Sequence, residues 1–341
     1  MTARSTRKPG VAILGGGSWG TTVASTCARN TATTLWARDP ATAEEINTRH
    51  TNSRYLGDLA LSRSLRATAD LAEAVADADV LVMGVPSQSF RSVLEEAAEH
   101  LRPWIPIVSL VKGLEQGSRK RMTEIVTEVL PGHPAGVLAG PNIAKEIVQG
   151  FAAAATIAMP DHQTAVMLQE LFRTSRFRVY TSSDVVGIEI AGALKNVFAI
   201  ATGFGDGLEA GDNTRAMVIT RSLRELAKLG SAMGGQFDTF AGLAGMGDLI
   251  ATCTSPHSRN RRVGLGLAQG KTVEQVREEM GQVAEGVKSS AVVMKLAAER
   301  GVDMPIAAEV DAVINHGQPV ANTYRGLLRQ RPGHEVHGEA W

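Results

Sequence analysis

The chain has 341 residues, 44% of them hydrophobic and 21% charged, with Lys plus Arg equal to Asp plus Glu at 35 each. That length suggests two domains, and the balance of charge argues against a general nucleic-acid or membrane-surface binder. The two cysteines, Cys27 and Cys253, exclude a disulfide framework and match no metal-site spacing, which points to a reducing cytoplasm.

No run approaches the about 18 consecutive apolar residues that a membrane helix needs. Met1 to Gly10 carries Arg4, Arg7 and Lys8 with no apolar core behind them, so residues 1–10 are expected to be a disordered leader and not a signal peptide. Apolar β-type runs then alternate with helical patterns. They are Val11 to Leu14, Thr33 to Ala37, Val80 to Val85, Ile105 to Val111, Gly136 to Ala139 and Ala152 to Met159. Continuous apolar strands separated by helices indicate a mostly parallel sheet covered on both faces, a doubly wound α/β domain over residues 11–188.

After about Val185 the strand signal stops. Ile190, Leu194, Val197, Phe198 and Ala201 recur at helical spacing. Asp212 or Asn213 is expected to cap a helix running through Met217, Leu223 and Leu226 to Gly230. Val283 to Arg300, with Gly301 as its stop, and Met304 to Asn315 continue the pattern. An all-α domain is therefore expected over 189–328, with a polar tail at 329–341. In that tail His334 and His337 lie three apart just after Pro332-Gly333, a poor metal pair, and no metal is expected.

Gly15, Gly17 and Gly20 form G-x-G-x-x-G between the first strand and a helix of small residues. Gly15 suits the tight turn, Gly17 lets the backbone approach a pyrophosphate, and Gly20 allows close packing of helix on strand. The helix start then offers free N–H groups to an anion. Arg38 and Asp39 end the second strand, close to the spacing of about 20 residues at which an acid reads a ribose 2′-OH and an arginine a 2′-phosphate. With Arg38 first, dual use of NAD and NADP, or a preference for NADP, is the better reading; a solvated strand-end charge is the alternative.

Lys112 follows the run Ile105 to Val111, at the strand edge that faces the ligand crevice in open α/β sheets, or is an ordinary surface charge there. Lys195 is more informative. Its helical neighbours Ala191, Gly192, Phe198 and Ala199 are uncharged, so it either snorkels to solvent or is held in a crevice for chemistry. Desolvation disfavours a charged amine, which would suit Lys195 to acid–base work near neutral pH. Thr252 stands four residues after Asp248, one helical turn on. Ser258 can cap a helix whose first turn holds Arg259 and Asn260, a hydroxyl, guanidinium, amide and N–H set that suits a phosphate. Arg261 and Arg262 read as a solvated face.

Gly15 to Gly20, Lys112-Gly113, Gly140-Pro141, Ala193-Leu194-Lys195-Asn196, Gly247-Asp248-Leu249 and Ser258-Arg259-Asn260-Arg261 occur in the order of a known family. The chain resembles the bacterial NAD(P)-dependent glycerol-3-phosphate dehydrogenases over roughly residues 10 to 328. The resemblance implies a Rossmann domain, a helical C-terminal domain and an active site drawing residues from both. It implies that Lys195 is the proton acceptor, with Lys112, Asn196, Asp248 and Thr252 shaping the site. Asp248 would orient a lysine by a charge-assisted hydrogen bond. Gly140, Asn142, Ser258, Arg259 and Asn260 would contact glycerol 3-phosphate, with Lys112, Lys195 and Asp248. Ser18, Trp19, Arg38, Lys112, Ala144, Arg259, Val283 and Glu285 would line the NAD or NADP site with the three glycines. Members often carry Ser-Gly-Pro-Ser/Thr-Phe-Ala where this chain has Ala139-Gly140-Pro141-Asn142-Ile143-Ala144; Asn142 keeps a polar group there. The family also implies a cytoplasmic homodimer that supplies glycerophospholipid synthesis. Competing readings are a ketopantoate reductase-like or hydroxyacid dehydrogenase, against which Ser258 to Arg261 argues, and a non-catalytic dinucleotide sensor. The sensor would need the glycine loop but not Lys112, Lys195 and Asp248.

Overall fold

The computed structural model describes residues 8–281 and 284–323. Residues 1–7 of the expected leader, Val283 of the expected cofactor site, and the tail with His334 and His337 lie outside the described residues. Lys8 to Gly10 are tied to the first domain: Thr31 Oγ1 donates to the Pro9 carbonyl at 2.6 Å and Gly10 N to Asp79 Oδ2 at 2.7 Å. By its contacts the chain divides into two compact units. One holds residues up to 192 together with 234–248; the other holds 193–233 together with the chain from 249.

The first unit is built on an eight-stranded sheet. Its strands are β1 (Val11–Leu14), β2 (Thr33–Trp36), β3 (Arg66–Thr68), β4 (Val80–Met83), β5 (Ile107–Ser109), β6 (Ala135–Ala139), β7 (Ala153–Ala158) and β8 (Phe177–Ser182). The spatial order is β3-β2-β1-β4-β5-β6-β7-β8, and every neighbouring pair is parallel except β6 and β7. The strands β1 and β4 are completely buried in pattern, as expected of a sheet covered on both faces. Two apolar clusters cover it. One gathers Ile13, Leu35, Val82 and Val108 with Val23 and Cys27 of the helix Ser18–Cys27; the other gathers Leu14, Leu81, Met83 and Ile107 with Phe90 and Ile125.

The sheet departs from the sequence expectation at three strands. The helix before β7, Ala144–Val148, has only five residues, a rise of about 7.5 Å, whereas a strand of six residues runs about 20 Å. So short a crossover does not return the chain to the far end of the sheet, and β7 enters antiparallel. β3 is a three-residue polar edge with no readable pattern, and β8 alternates buried Phe177 and Val179 with exposed Arg178 and Tyr180, as edge strands do. The order reverses between β1 and β4, the switch point of a doubly wound sheet, and the parallel strands end toward Gly15, Arg38, Gly84, Lys112 and Gly140.

Helix Val185–Gly207 begins in this unit. It starts at Asp184, whose Oδ1 accepts from Gly187 N at 2.8 Å while Oδ2 accepts from Gln236 N at 2.8 Å and Thr239 Oγ1 at 2.6 Å. Those bonds help hold 234–248 to the sheet unit, where Ala244 packs with Val137, Ala139, Ala158 and Ile188. By length and hydropathy Val185–Gly207 meets the criterion for a membrane span, but 89% of that window is buried within the protein.

The second unit is helical, from 193 to 207 of that helix through Gly211–Ala232, Arg259–Ala268, Val273–Met280, Glu285–Arg300 and Pro305–His316. Gly301 stops Glu285–Arg300 in a left-handed C-cap. Gly211–Ala232 differs from expectation at its start: Ala210 is its N-cap, and Asp212 lies inside the first turn, paired with Arg215 at 2.6 Å. An acid at that end of a helix is favoured by the helix dipole without serving as the cap.

Candidate active site

In the sheet unit the glycine motif forms the loop it predicts. Gly15 has φ +126° and lies so close to Gly84 that a Cβ would sit 2.6 Å from the Gly84 carbonyl carbon. A side chain at Gly20 would run into the carbonyl oxygen of Gly15, whereas one at Gly17 would meet nothing within 4 Å. Gly17 is also the N-cap of Ser18–Cys27 and makes no side-chain cap bond. The crowded glycines set the turn, and the open one leaves a cradle that fits a dinucleotide pyrophosphate at the helix start. Ser18 Oγ donates to the Tyr55 carbonyl at 3.4 Å, and Trp19 packs edge-on against Phe177. The Trp19 indole nitrogen is buried without a hydrogen-bond partner among the described residues.

Arg38 and Asp39 are exposed at the end of β2. The Asp39 carboxylate is already engaged as the cap of helix Pro40–Arg49, accepting from Ala41 N at 3.1 Å and Thr42 Oγ1 at 3.1 Å. Behind the loop stands a residue the motif reading passed over. Asn52 donates from Nδ2 to the Gly16 carbonyl and to Thr21 Oγ1, both at 2.9 Å.

Lys112 Nζ donates to the Gly140 carbonyl at 2.8 Å and to Asp248 Oδ2 at 2.7 Å. Its aliphatic stem lies against Gly192, where a Cβ would meet Lys112 Cγ at 3.5 Å. Asp248 is brought there by Leu243–Gly247, a π-helical turn closed by Gly247 N to the Gly242 carbonyl at 3.1 Å. Such turns are wide and rare, and they recur at functional sites. Gly140 has φ +143° against Ala154 and Ala155 of β7. Asn142 donates from Nδ2 to the Ala154 carbonyl at 3.1 Å, and its Oδ1 is buried without a hydrogen-bond partner among the described residues. Ala144 opens the short helix that follows.

In the helical unit Lys195 is 4% exposed and Asn196 5% exposed. Lys195 Nζ donates to Thr252 Oγ1 at 2.7 Å. Asp248 and Thr252 share helix Asp248–Thr254. Ser258 is the N-cap of Arg259–Ala268, its Oγ accepting from Arg261 N at 3.3 Å. Asn260 is buried in that first turn, donating to Asn196 Oδ1 at 2.8 Å and accepting from Gly286 N at 2.9 Å. Arg259 is exposed beside it, and Glu285 begins the helix Glu285–Arg300. Arg261 is not a plain surface charge: with Arg215 it pairs with Asp206, whose side chain is only 7% exposed.

A pyrophosphate-type glycine loop at the switch point, with a buried lysine and a half-buried one each held by oxygen partners, places the chain among dinucleotide-dependent oxidoreductases. Its two halves match the family models "NAD-dependent glycerol-3-phosphate dehydrogenase N-terminus", over residues 10–165, and the corresponding C-terminus, over 184–325. The chain is 63% identical over 340 residues to the glycerol-3-phosphate dehydrogenase (NAD(P)+) of Mycobacterium avium strain 104, covering 99% of this chain and 100% of that one. The crystal structure of glycerol-3-phosphate dehydrogenase from Coxiella burnetii superposes with a TM-score of 0.90 at 35% identity, over 95% of this chain and 99% of that one. A ketopantoate reductase from Ralstonia eutropha shares the fold at 16% identity and a TM-score of 0.59, over 92% of this chain and 99% of that one. The chain belongs to the NAD-dependent glycerol-3-phosphate dehydrogenase family.

Proposed function

We propose that this chain catalyses the reversible NAD(P)H-dependent reduction of dihydroxyacetone phosphate to sn-glycerol 3-phosphate, with Lys195 transferring the proton. The observation that carries the reading is the buried Lys195, held by Thr252 beside the Asn196–Asn260 pair, in a chain whose two halves both match this family.

The glycine loop, Ser18, Trp19, Arg38 and Ala144 are the residues that would hold the dinucleotide. When bound, it supplies the hydride. Lys195 gives a proton to the substrate oxygen as its carbon becomes tetrahedral, and takes it back in the reverse direction. Thr252 accepts from Lys195 Nζ and so fixes where the amine points. Asn260 uses its oxygen on Gly286 N and one amide hydrogen on Asn196, which leaves the second hydrogen for a phosphate oxygen. Ser258 caps the start of Arg259–Ala268, and the positive end of that helix together with the Arg259 guanidinium suits a dianionic phosphate. Lys112 is a paired cation, held by Asp248 and the Gly140 carbonyl, and its role is to fix the charge and position of the substrate or cofactor. Asn142 presents an unpartnered acceptor to a substrate hydroxyl. Because Asp39 is engaged as a helix cap and Arg38 is exposed, the reading favours NADP over NAD without excluding NAD. It includes a cytoplasmic homodimer feeding glycerophospholipid synthesis.

The test is NAD(P)H absorbance with dihydroxyacetone phosphate, NADPH and NADH run in parallel. Oxidation is expected with both cofactors, faster in kcat/KM with NADPH. Lys195→Ala is expected to bind cofactor as before and to lose at least about 100-fold in kcat. Near-normal turnover in that variant would remove Lys195 from the mechanism.

A further inference from the structure

Asn52 is fully buried between the glycine loop and the short helix Ser53–Leu56. Its backbone is fixed: its carbonyl accepts from Tyr55 N at 3.1 Å and Leu56 N at 2.8 Å, and it forms an antiparallel bridge with Gly57. Its amide is fixed too. The Gly16 carbonyl can only accept, so Nδ2 must face it, and the second amide hydrogen goes to Thr21 Oγ1. Oδ1 is left buried with no hydrogen-bond partner among the described residues. A stranded buried oxygen costs stability, so a side chain kept for packing alone would be better served by an apolar isostere.

The consequence lies in the next peptide group. In a trans peptide the carbonyl and the N–H point to opposite sides of the chain. The Gly16 carbonyl is drawn back to Asn52, so the Gly17 N–H is turned to the other side, at the one glycine of the loop with open space around it. We propose that Asn52 is a positioning residue for the dinucleotide, locking the Gly16–Gly17 peptide so that its N–H faces the pyrophosphate. A flipped peptide would present a carbonyl oxygen to the phosphate and repel it. The proposal rests on the reading that this loop holds the pyrophosphate.

The test uses the full chain with Asn52→Leu, which keeps the branched shape and removes both N–H donors, and Asn52→Ala. NADPH affinity by calorimetry is expected to weaken about 10- to 100-fold, the scale of one hydrogen bond to a charged group. KM for NADPH should rise in step, while kcat at saturation and KM for dihydroxyacetone phosphate stay within about twofold. Gly17→Val is the control for the loop itself: its φ of −74° is open to L residues and a Cβ there meets nothing within 4 Å, so the side chain starts in the space a ligand would fill. If Gly17→Val binds NADPH as the wild type does, the loop reading falls and the proposal with it. If Gly17→Val weakens binding and the Asn52 variants do not, the proposal alone falls. It is also overturned if both Asn52 variants lose cooperative thermal unfolding, because Asn52 would then hold the domain and not the peptide.

Discussion

Glu225 makes the stability of the helical unit depend on pH in a calculable way. It is 5% exposed on helix Gly211–Ala232, and its carboxylate accepts from Ile306 N at 2.8 Å and Ala307 N at 3.2 Å, the first turn of Pro305–His316. Burial disfavours its charge more than those two N–H groups favour it, and its pKa rises from the ordinary 4.5 to about 7. The folded protein therefore holds this proton more tightly than the unfolded chain does. The stabilising contribution is complete below pH 4.5 and is lost as pH rises through about 7. At 1.36 kcal/mol per pKa unit the whole loss is about 3 kcal/mol, of which about 2.5 kcal/mol falls between pH 5 and 8. The assay is guanidinium unfolding followed by far-UV ellipticity, for wild type and Glu225→Gln, at several pH values across that window. Groups other than Glu225 cancel in the difference between the two proteins, and the altered hydrogen bonds of glutamine add an offset that does not vary with pH. The advantage of Glu225→Gln over wild type should grow by about 2.5 kcal/mol from pH 5 to pH 8. Parallel curves would refute the reasoning.

Three further outcomes are expected. Gly20→Ala forces a Cβ onto the Gly15 carbonyl oxygen; the overpacked loop should cost about 1–3 kcal/mol in stability and raise KM for either cofactor, as thermal unfolding and initial rates will show. Asp248→Asn removes the charge opposite Lys112, itself 17% exposed, from a position only 2% exposed, and should cost about 1.5–3 kcal/mol, the scale of a hydrogen bond to a charged group; an unchanged melting temperature and unchanged kcat/KM would show the pair to be idle. Arg38→Ala should lower kcat/KM for NADPH about tenfold or more, the worth of a charge-assisted bond to phosphate, and leave NADH within about twofold; equal effects on both cofactors would mean that Arg38 does not read the 2′-phosphate.

What could be read from the sequence was what is decided locally. The strand–loop–helix around Gly15 to Gly20, the Ser258 cap bonded three residues on to Arg261, and Asp248 and Thr252 on one turn all depend on neighbours within a few residues. The uncharged helical neighbours of Lys195 singled it out but left snorkelling open; its burial came from the fold. The parts not legible are set by partners far along the chain. Asn52 reaches back to Gly16, Asp184 collects Gln236 and Thr239, and Asp206 takes Arg261, each with a side chain of ordinary polar type and no local motif. The antiparallel entry of β7 follows from the shortness of Ala144–Val148, which is a matter of where a helix stops and not of its periodicity.

The helical unit shows how glycines without a motif set the spacing of its helices. Gly203 on helix Val185–Gly207 and Gly264 on Arg259–Ala268 touch backbone to backbone: a side chain on Gly203 would strike the Arg261 carbonyl oxygen, and one on Gly264 the Ile200 carbonyl oxygen. Gly286 lies equally close to Asn196, where a Cβ would come 2.5 Å from its carbonyl oxygen. Only at such separations can Asn196, Asn260 and Gly286 N close a chain of hydrogen bonds at 2.8 and 2.9 Å. The Asp206–Arg261 ion pair then ties the same two helices together one residue beyond Asn260. Lys195, Asn196 and Asn260 thus ride on rigid elements whose spacing has no slack, the condition for holding reacting groups in place. A shift of about 1 Å at a reacting group can cost about 100-fold in rate. On the proposed reading, Gly203, Gly264 and Gly286 therefore constrain the reaction by setting where Lys195, Asn196 and Asn260 sit.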